Sequence, residues 1–203
     1  MFLCIRAYNL NIPMAMANLT TVPSCAITDS AVEASSSTTF SSSSTSRSYD
    51  VFINHRGPDV KLSFASHLYR RLRDHGLNAF LDKEEMEEGR KISSQIQEAI
   101  HGAYVQIAIF SPTYAESSWC LDELVLMENS GATILPIFFN VDPSVVRYTE
   151  KRGAYAEALL ELQKKTTSDG KEPRYSSKAI QNWRASLSDV ADLSGFELKS
   201  FNG

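Results

Sequence analysis

Residues 104–124 read YVQIAIFSPTYAESSWCLDEL, and the fold is decided in this stretch. Residues 104–110 form a largely apolar run of strand length. A run without alternation suits a strand buried on both faces. Ser111 and Pro112 stop it. Ser117 or Ser118 can then cap a helix from Trp119 to about Asn129, and Gly131 breaks it. A buried strand that feeds a helix through a short polar loop is the unit of a parallel sheet covered on both faces.

The same unit recurs on either side. Upstream, 49–54 (YDVFIN) reads as a strand, and His55-Arg56-Gly57-Pro58-Asp59 as a polar turn. A helix follows, with Asp59 as a suitable N-cap and Phe64, Ala65, Leu68 and Leu72 on one stripe. Gly76 sits where a C′ glycine ends a helix. Residues 77–81 are a short second strand, and 82–90 (DKEEMEEGR) a charged loop with five acids and two bases. Ile92, Ile96, Ala99 and Ile100 make the apolar face of another helix, closed by Gly102. Downstream, 133–141 (TILPIFFNV) is a fourth strand, and Asp142-Pro143 turns the chain. Residues 154–164 are helical, with Tyr155, Ala158, Leu159 and Leu162 on the apolar stripe. A polar loop covers 166–177. Ile180, Trp183, Leu187, Val190 and Ala191 mark a last long helix that Gly195 ends, and 196–199 reads as a short fifth strand. Right-handed crossovers make this an α/β protein: a flavodoxin-like, doubly wound parallel sheet of four to five strands with helices on both faces. In such folds ligands bind beyond the C-terminal strand ends. Here those ends are the loops 55–59, 82–89, 111–118 and 142–147.

Composition bounds the rest. The 203 residues are 43% hydrophobic and 22% charged, with a formal net charge of −4. That balance argues against nucleic acid as a partner. No apolar run approaches the ~18 residues of a membrane-spanning helix, so no membrane partner is expected. Three cysteines (Cys4, Cys25, Cys120) form neither a disulfide framework nor a zinc pair, which fits a reducing, intracellular setting. Residues 35–48 hold nine Ser and three Thr. Such a segment cannot bury enough apolar surface to offset its ordering entropy. The expected organisation is a disordered Ser/Thr-rich leader over 1–48, one domain over 49–199 and a short tail over 200–203. The leader is either a plain flexible segment or an organelle transit segment, although one Arg before Arg47 is few for the latter. The expected location is the cytoplasm, or a plastid if 1–48 is a transit segment.

Several chemistries are absent from the strand-end loops. There is no GxxxxGK[ST], no GxGxxG after the first strand and no GxSxG elbow. A phospho-receiver needs an acidic pair after the first strand and an Asp ending the third, and the third strand here ends in Phe110-Ser111. His55, His67, His75 and His101 show no metal-ligand spacing, so no metal is expected and each reads as a surface or partly buried residue with a local partner. What remains is SSWCLDEL at 117–124. In a helix starting at Trp119, Glu123 lies one turn on, at i+4 on the same face. Two readings stand. A carboxylate sits beside a large aromatic at the helix entrance, facing the crevice; or Trp119 is core and Glu123 a solvated helix residue, the plainer reading on burial statistics.

At these residues the sequence resembles a plant-type TIR (Toll/interleukin-1 receptor) domain. YDVFINHRGPDVK at 49–61 is similar to the family's first-strand box, YDVFLSFRGxDTR. FLDKEEMEEGRKI at 80–92 resembles its second-strand and BB-loop box, IFSPTYAESSWCLDEL at 109–124 its third-strand and αC box, and PIFFNVDPSVVR at 136–147 its PIFYxVDPSDVR box. Four boxes in order, spanning about Tyr49 to Leu198, are far more specific than any one. Departures are His55 for the Phe of FRG, Val60-Lys61 for Thr-Arg, and Val145 for Asp. Neither the family's final helix nor the nucleotide-binding ATPase module of fuller receptors follows in these residues. The sequence thus reads as a TIR-only chain or the N-terminal part of a TIR-containing immune protein.

The resemblance implies an NAD⁺ nucleosidase in plant innate immune and cell-death signalling. It would release nicotinamide and ADP-ribose or a cyclic variant, with NAD⁺ as substrate and no cofactor. The family's essential glutamate corresponds to Glu123. Substrate contacts are expected from His55, Arg56, Gly57, Asp59, Gly89, Ser117 and Trp119. Cys120 reads as a buried thiol rather than a nucleophile, since no His is placed to activate it. Self-association is implied too, through a Ser-His pair on the first helix that Ser66-His67 matches, along with contact to other TIR-containing receptors. The alternative is a non-catalytic TIR adaptor that acts only through TIR–TIR contacts.

Overall fold

Five strands form one all-parallel sheet in the order β2-β1-β3-β4-β5. They are β1 (Tyr49–His55), β2 (Ala79–Leu81), β3 (Ala103–Phe110), β4 (Thr133–Phe139) and β5 (Phe196–Leu198). The structure is a computed structural model and describes residues 48–82, 92–150 and 152–199. The expected leader, most of the charged 82–90 loop with Gly89, and the tail lie outside the described residues.

Helices follow the strands as the patterning predicts. After β1 a short α-helical turn (Gly57–Val60) runs through a π-helical turn (Lys61–Ala65) into α1 (Ser66–Asp74). Then come α2 (Ser94–His101), α3 (Ser118–Asn129), α4 (Pro143–Arg147), α5 (Ala154–Lys164) and α6 (Ser177–Ala191). The expected side-chain cap holds at α3, where Ser117 accepts from the Cys120 amide, and α2 has a cap of the same kind in Ser93, which accepts from the Ile96 amide. Asp59 is not an N-cap: the helical run opens at Gly57, with Arg56 in the capping position, and the Asp59 carboxylate is used elsewhere. Asp142-Pro143 is more than a turn, because Asp142 caps the short helix α4 through the Ser144 amide.

Strand alternation divides the molecule into layers. Phe52 of β1, Ala108 and Phe110 of β3 and Phe138 of β4 share one face. They form the main core with Ile96 and Ile100 of α2, Leu121 and Leu124 of α3, Leu159 of α5, and Trp183 and Leu187 of α6. The opposite face belongs to the helix after β1. Phe64 stacks on Phe139, the neighbour of core residue Phe138, with ring centroids 5.4 Å apart. Val60, Ala65, Leu68 and Leu72 are buried beside it. The π turn explains that spacing: one extra residue per turn lets Val60 and Ala65, five apart, face inward together. It also turns Leu62 outward, 97% exposed.

Candidate functional site

The site lies at the C-terminal ends of β1 and β3, where the sheet order reverses between them. Two loops meet there and are stitched by one carboxylate. Asp59 accepts hydrogen bonds from Ser111 Oγ at 2.5 Å, Thr113 Oγ1 at 2.6 Å and the Thr113 amide at 3.2 Å. Arg56 donates to the same Thr113 hydroxyl and pairs with Glu116 at 3.1 Å and Asp59 at 3.8 Å. Tyr155 donates to the Ser111 carbonyl at 2.9 Å and holds the loop from below. The first loop thereby presents Arg56 and Gly57 beside the start of α3.

Helix α3 is fixed about its own axis from two sides. On one, Trp183 Nε1 donates to Asp122 Oδ1 at 2.8 Å. On the other, Asn54 Nδ2 donates to Glu123 Oε2 at 2.7 Å. Glu123 is therefore not a solvated helix residue; it is 2% exposed. Its second oxygen, Oε1, is buried with no hydrogen-bond partner among the described residues. Trp119, one turn earlier, is partly buried against the core, and its indole Nε1 also has no hydrogen bond among the described residues. Trp119 and Glu123 thus lie one turn apart at the opening of α3, the first partly buried and the second almost fully so.

Electrostatics follow from this enclosure. Burial pushes the Glu123 carboxyl up to about 8. The Asn54 hydrogen bond opposes that rise, the Asp82 carboxylate adds to it, and the Trp119 indole opposes it without reaching hydrogen-bond geometry. Burial also raises the Cys120 thiol to about 12, so it stays protonated and donates weakly to the His55 carbonyl at 3.4 Å. This agrees with a buried thiol that is no nucleophile.

His55 departs from its expected environment. His75 and His101 each place Nδ1 2.7 Å from a carbonyl in the preceding helical turn. His55 is 8% exposed, and neither ring nitrogen has a hydrogen bond among the described residues. Burial first, and then the Lys61 charge, lower it to about 4, so the ring is neutral near pH 7.

The loop after β1 touches the start of α3 where Arg56 pairs with Glu116 and the His55 carbonyl accepts from Cys120 Sγ; Asp59, after Gly57, holds the Ser111–Thr113 loop, and Ser117 and Trp119 open the helix that carries Glu123. Gly89 lies outside the described residues. Ser66 and His67 sit apart on α1. The Ser66 hydroxyl donates to the Lys61 carbonyl, and His67 is exposed. Sequence reasoning missed Asn54, Tyr114 and Asp82. Asn54 and Tyr114 are fully buried polar groups, and only the odd polar residue at the inward position of an apolar strand hinted at Asn54. Among the described residues no group of three or more His, Cys, Asp and Glu could hold a metal ion. None of their helices is long and apolar enough to cross a membrane.

The family model for the TIR domain matches residues 48–203. The chain belongs to the TIR domain family. It is 41% identical over 160 residues to TMV resistance protein N of Nicotiana glutinosa, covering 76% of this chain and 13% of that protein. It is 38% identical over 173 residues to disease resistance protein RPV1 of Vitis rotundifolia, covering 83% and 11%. Disease resistance protein RPP5 of Arabidopsis thaliana is 38% identical over 164 residues, covering 78% and 11%. The chain thus spans only 11–13% of the length of these relatives. Among solved structures, the TIR domains of the activated Roq1 resistosome, which directly recognises the pathogen effector XopQ, match with a TM-score of 0.61 at 35% identity. That match covers 77% of this chain and 92% of the other. This is a plant-type TIR domain related to immune receptors, and its five-stranded sheet is the TIR fold.

Proposed function

We propose that this TIR domain cleaves NAD⁺ at the nicotinamide–ribose bond, with Glu123 as the carboxylate that carries the reaction. The observation behind this is a buried glutamate at the C-terminal end of the sheet, with one oxygen held by Asn54 and the other without a partner among the described residues. The nicotinamide of NAD⁺ already bears the positive charge, so it leaves neutral and needs no general acid. As it departs, charge develops on the ribose in an oxocarbenium-like transition state. Ionised Glu123 stabilises that charge from a low-dielectric position, where a fixed carboxylate acts strongly.

The neighbouring groups take supporting roles. Trp119 offers an aromatic face to the nicotinamide ring. Arg56 and the amides after Gly57 receive the pyrophosphate, with Arg56 exchanging the exposed Glu116 for a phosphate oxygen. Asp59 keeps both loops in register, while His55 and Ser117 line the crevice beside them. Water or a second part of the substrate then captures the ribose, giving ADP-ribose or a cyclic variant.

The same proposal includes assembly and place. The Roq1 TIR domains were solved in a resistosome. We extend that to homotypic association of this chain, and to contact with other TIR-containing immune receptors, through the α1 face of Ser66 and His67. The setting is plant defence signalling in the cytoplasm, or in a plastid if 1–48 is a transit segment. The second reading, an adaptor acting only through TIR–TIR contacts, draws on the exposed Leu62 and His67, a surface that has no need of Glu123. Incubating the concentrated domain with NAD⁺ and following nicotinamide decides between them. Release by the wild type and none by Glu123→Ala supports the nucleosidase. Equal release by both removes Glu123 from the reaction, and no release by either under assembling conditions favours the adaptor.

A further inference from the structure

The buried surroundings of Glu123 contain a residue that no function yet uses. Asn54 occupies the next-to-last position of β1 and is fully buried. Strand alternation puts it on the same face as Phe52, toward α3. Its amide is completely engaged. Nδ2 donates to Glu123 Oε2 at 2.7 Å and to the Cys120 carbonyl at 3.3 Å, and Oδ1 accepts from the Tyr114 hydroxyl at 2.5 Å. The Cys120 carbonyl can only accept, so the NH₂ group must face it, and this settles which end of the amide meets Glu123. Tyr114 is itself fully buried, with its ring set edge-on to Phe110 at 5.0 Å between centroids. The chain Tyr114–Asn54–Glu123 therefore links the floor of the core to one specific carboxylate oxygen.

We propose that Asn54, oriented by Tyr114, is the positioning residue of Glu123: it occupies Oε2 and so leaves Oε1 as the oxygen that meets the substrate. The proposal rests on the nucleosidase reading for its functional meaning, but not for its structural test. An amide donor favours the ionised carboxylate, which is the form that stabilises an oxocarbenium ion. Besides the Trp119 indole, the titratable groups that sense Glu123 are Asp82 at the end of β2, Asp122 and Cys120 on α3, and Tyr114. Burial raises the Cys120 thiol to about 12 and Tyr114 well above the usual phenol range, so neither changes charge at working pH. Asp82 and Asp122 oppose ionisation of Glu123. Of the two groups that favour the ionised carboxylate, Asn54 has the larger effect and the Trp119 indole the smaller.

The test compares wild type, Asn54→Leu and Tyr114→Phe, with Glu123→Gln to assign the signal. Glu123 is titrated directly by carbonyl ¹³C NMR on glutamate-labelled protein, and nicotinamide release from NAD⁺ is followed across the same pH range. The expected result is that Asn54→Leu moves the Glu123 titration upward by about one pH unit, a tenfold loss of ionised form near neutral pH. Tyr114→Phe moves it the same way by less. kcat then falls about tenfold at pH 7 and recovers at high pH, with KM little changed. A merely structural role would lower activity at every pH and leave the titration in place. Unchanged Glu123 titration in both variants overturns the proposal. If the domain releases no nicotinamide but the titration moves, the nucleosidase reading fails while the positioning of Glu123 stands. If Asn54→Leu does not fold, the Tyr114→Phe titration alone decides.

Discussion

At the scale of the residue, the molecule holds a buried carboxyl at a net energetic disadvantage. Glu123 ionises near 4.5 in an unfolded chain but only near 8 in the folded one. Between these values the folded state keeps a proton that the unfolded state has released. Stability therefore falls as pH rises through that window, by at most about 1.4 kcal/mol per pH unit. Glu123→Gln keeps the shape and removes the charge. It is expected to melt higher than wild type, with the gap in Tm widening from pH 5 to pH 8, as scanning fluorimetry at several pH values will show. A Tm difference that does not depend on pH would mean that the carboxyl is not held protonated. Much of this was illegible in the sequence. The i, i+4 spacing put Trp119 and Glu123 on one face, but burial statistics favoured a solvated glutamate. Only the partner on another element, Asn54, makes a buried carboxylate tenable. His55 misled for a related reason: its ordinary type gave no sign of a ring with two unpartnered buried nitrogens.

At the scale of the element, periodicity carried most of the fold. The apolar run in β3 and the alternating run in β1 gave parallel neighbours because each was followed by a helix-period segment. The π turn at Lys61–Ala65 was not legible, since the apolar stripe resumes on either side of it. The helix opening was misread because Asp59 is a good cap by type, while its carboxylate is recruited by Ser111 and Thr113 from a distant loop. The edge of the sheet rests on close backbone approach. A Cβ at Gly195 would lie 2.4 Å from the Pro136 carbonyl oxygen, beside the start of β5. Gly195→Ala must push β5 away from β4 and is expected to cost ~1–3 kcal/mol. Urea unfolding monitored by circular dichroism measures that loss. A midpoint equal to wild type would mean that β5 adapts freely.

At the scale of the whole molecule, the exposed side of the first helical run matters most. Leu62, in the π turn, is almost fully exposed and precedes the proposed association pair Ser66-His67 by four and five residues in one continuous helical run. If this face joins copies of the chain, Leu62→Asp together with His67→Ala will weaken association. Specific activity will then need several-fold more protein to reach its wild-type value, while the melting temperature of the dilute monomer stays the same. Analytical ultracentrifugation read beside activity measures both. Association that is unaffected by the pair of substitutions would move the interface elsewhere on the fold.

If ionised Glu123 carries NAD⁺ cleavage from a buried position, the rate of nicotinamide release must follow the ionisation of that carboxyl. With saturating NAD⁺ and fixed, high protein concentration, the account predicts a rate that climbs about tenfold per pH unit below pH 8 and levels off above it. Glu123→Gln should be inactive throughout. A rate that is flat from pH 6 to pH 9, or one that Glu123→Gln reproduces, would contradict the account.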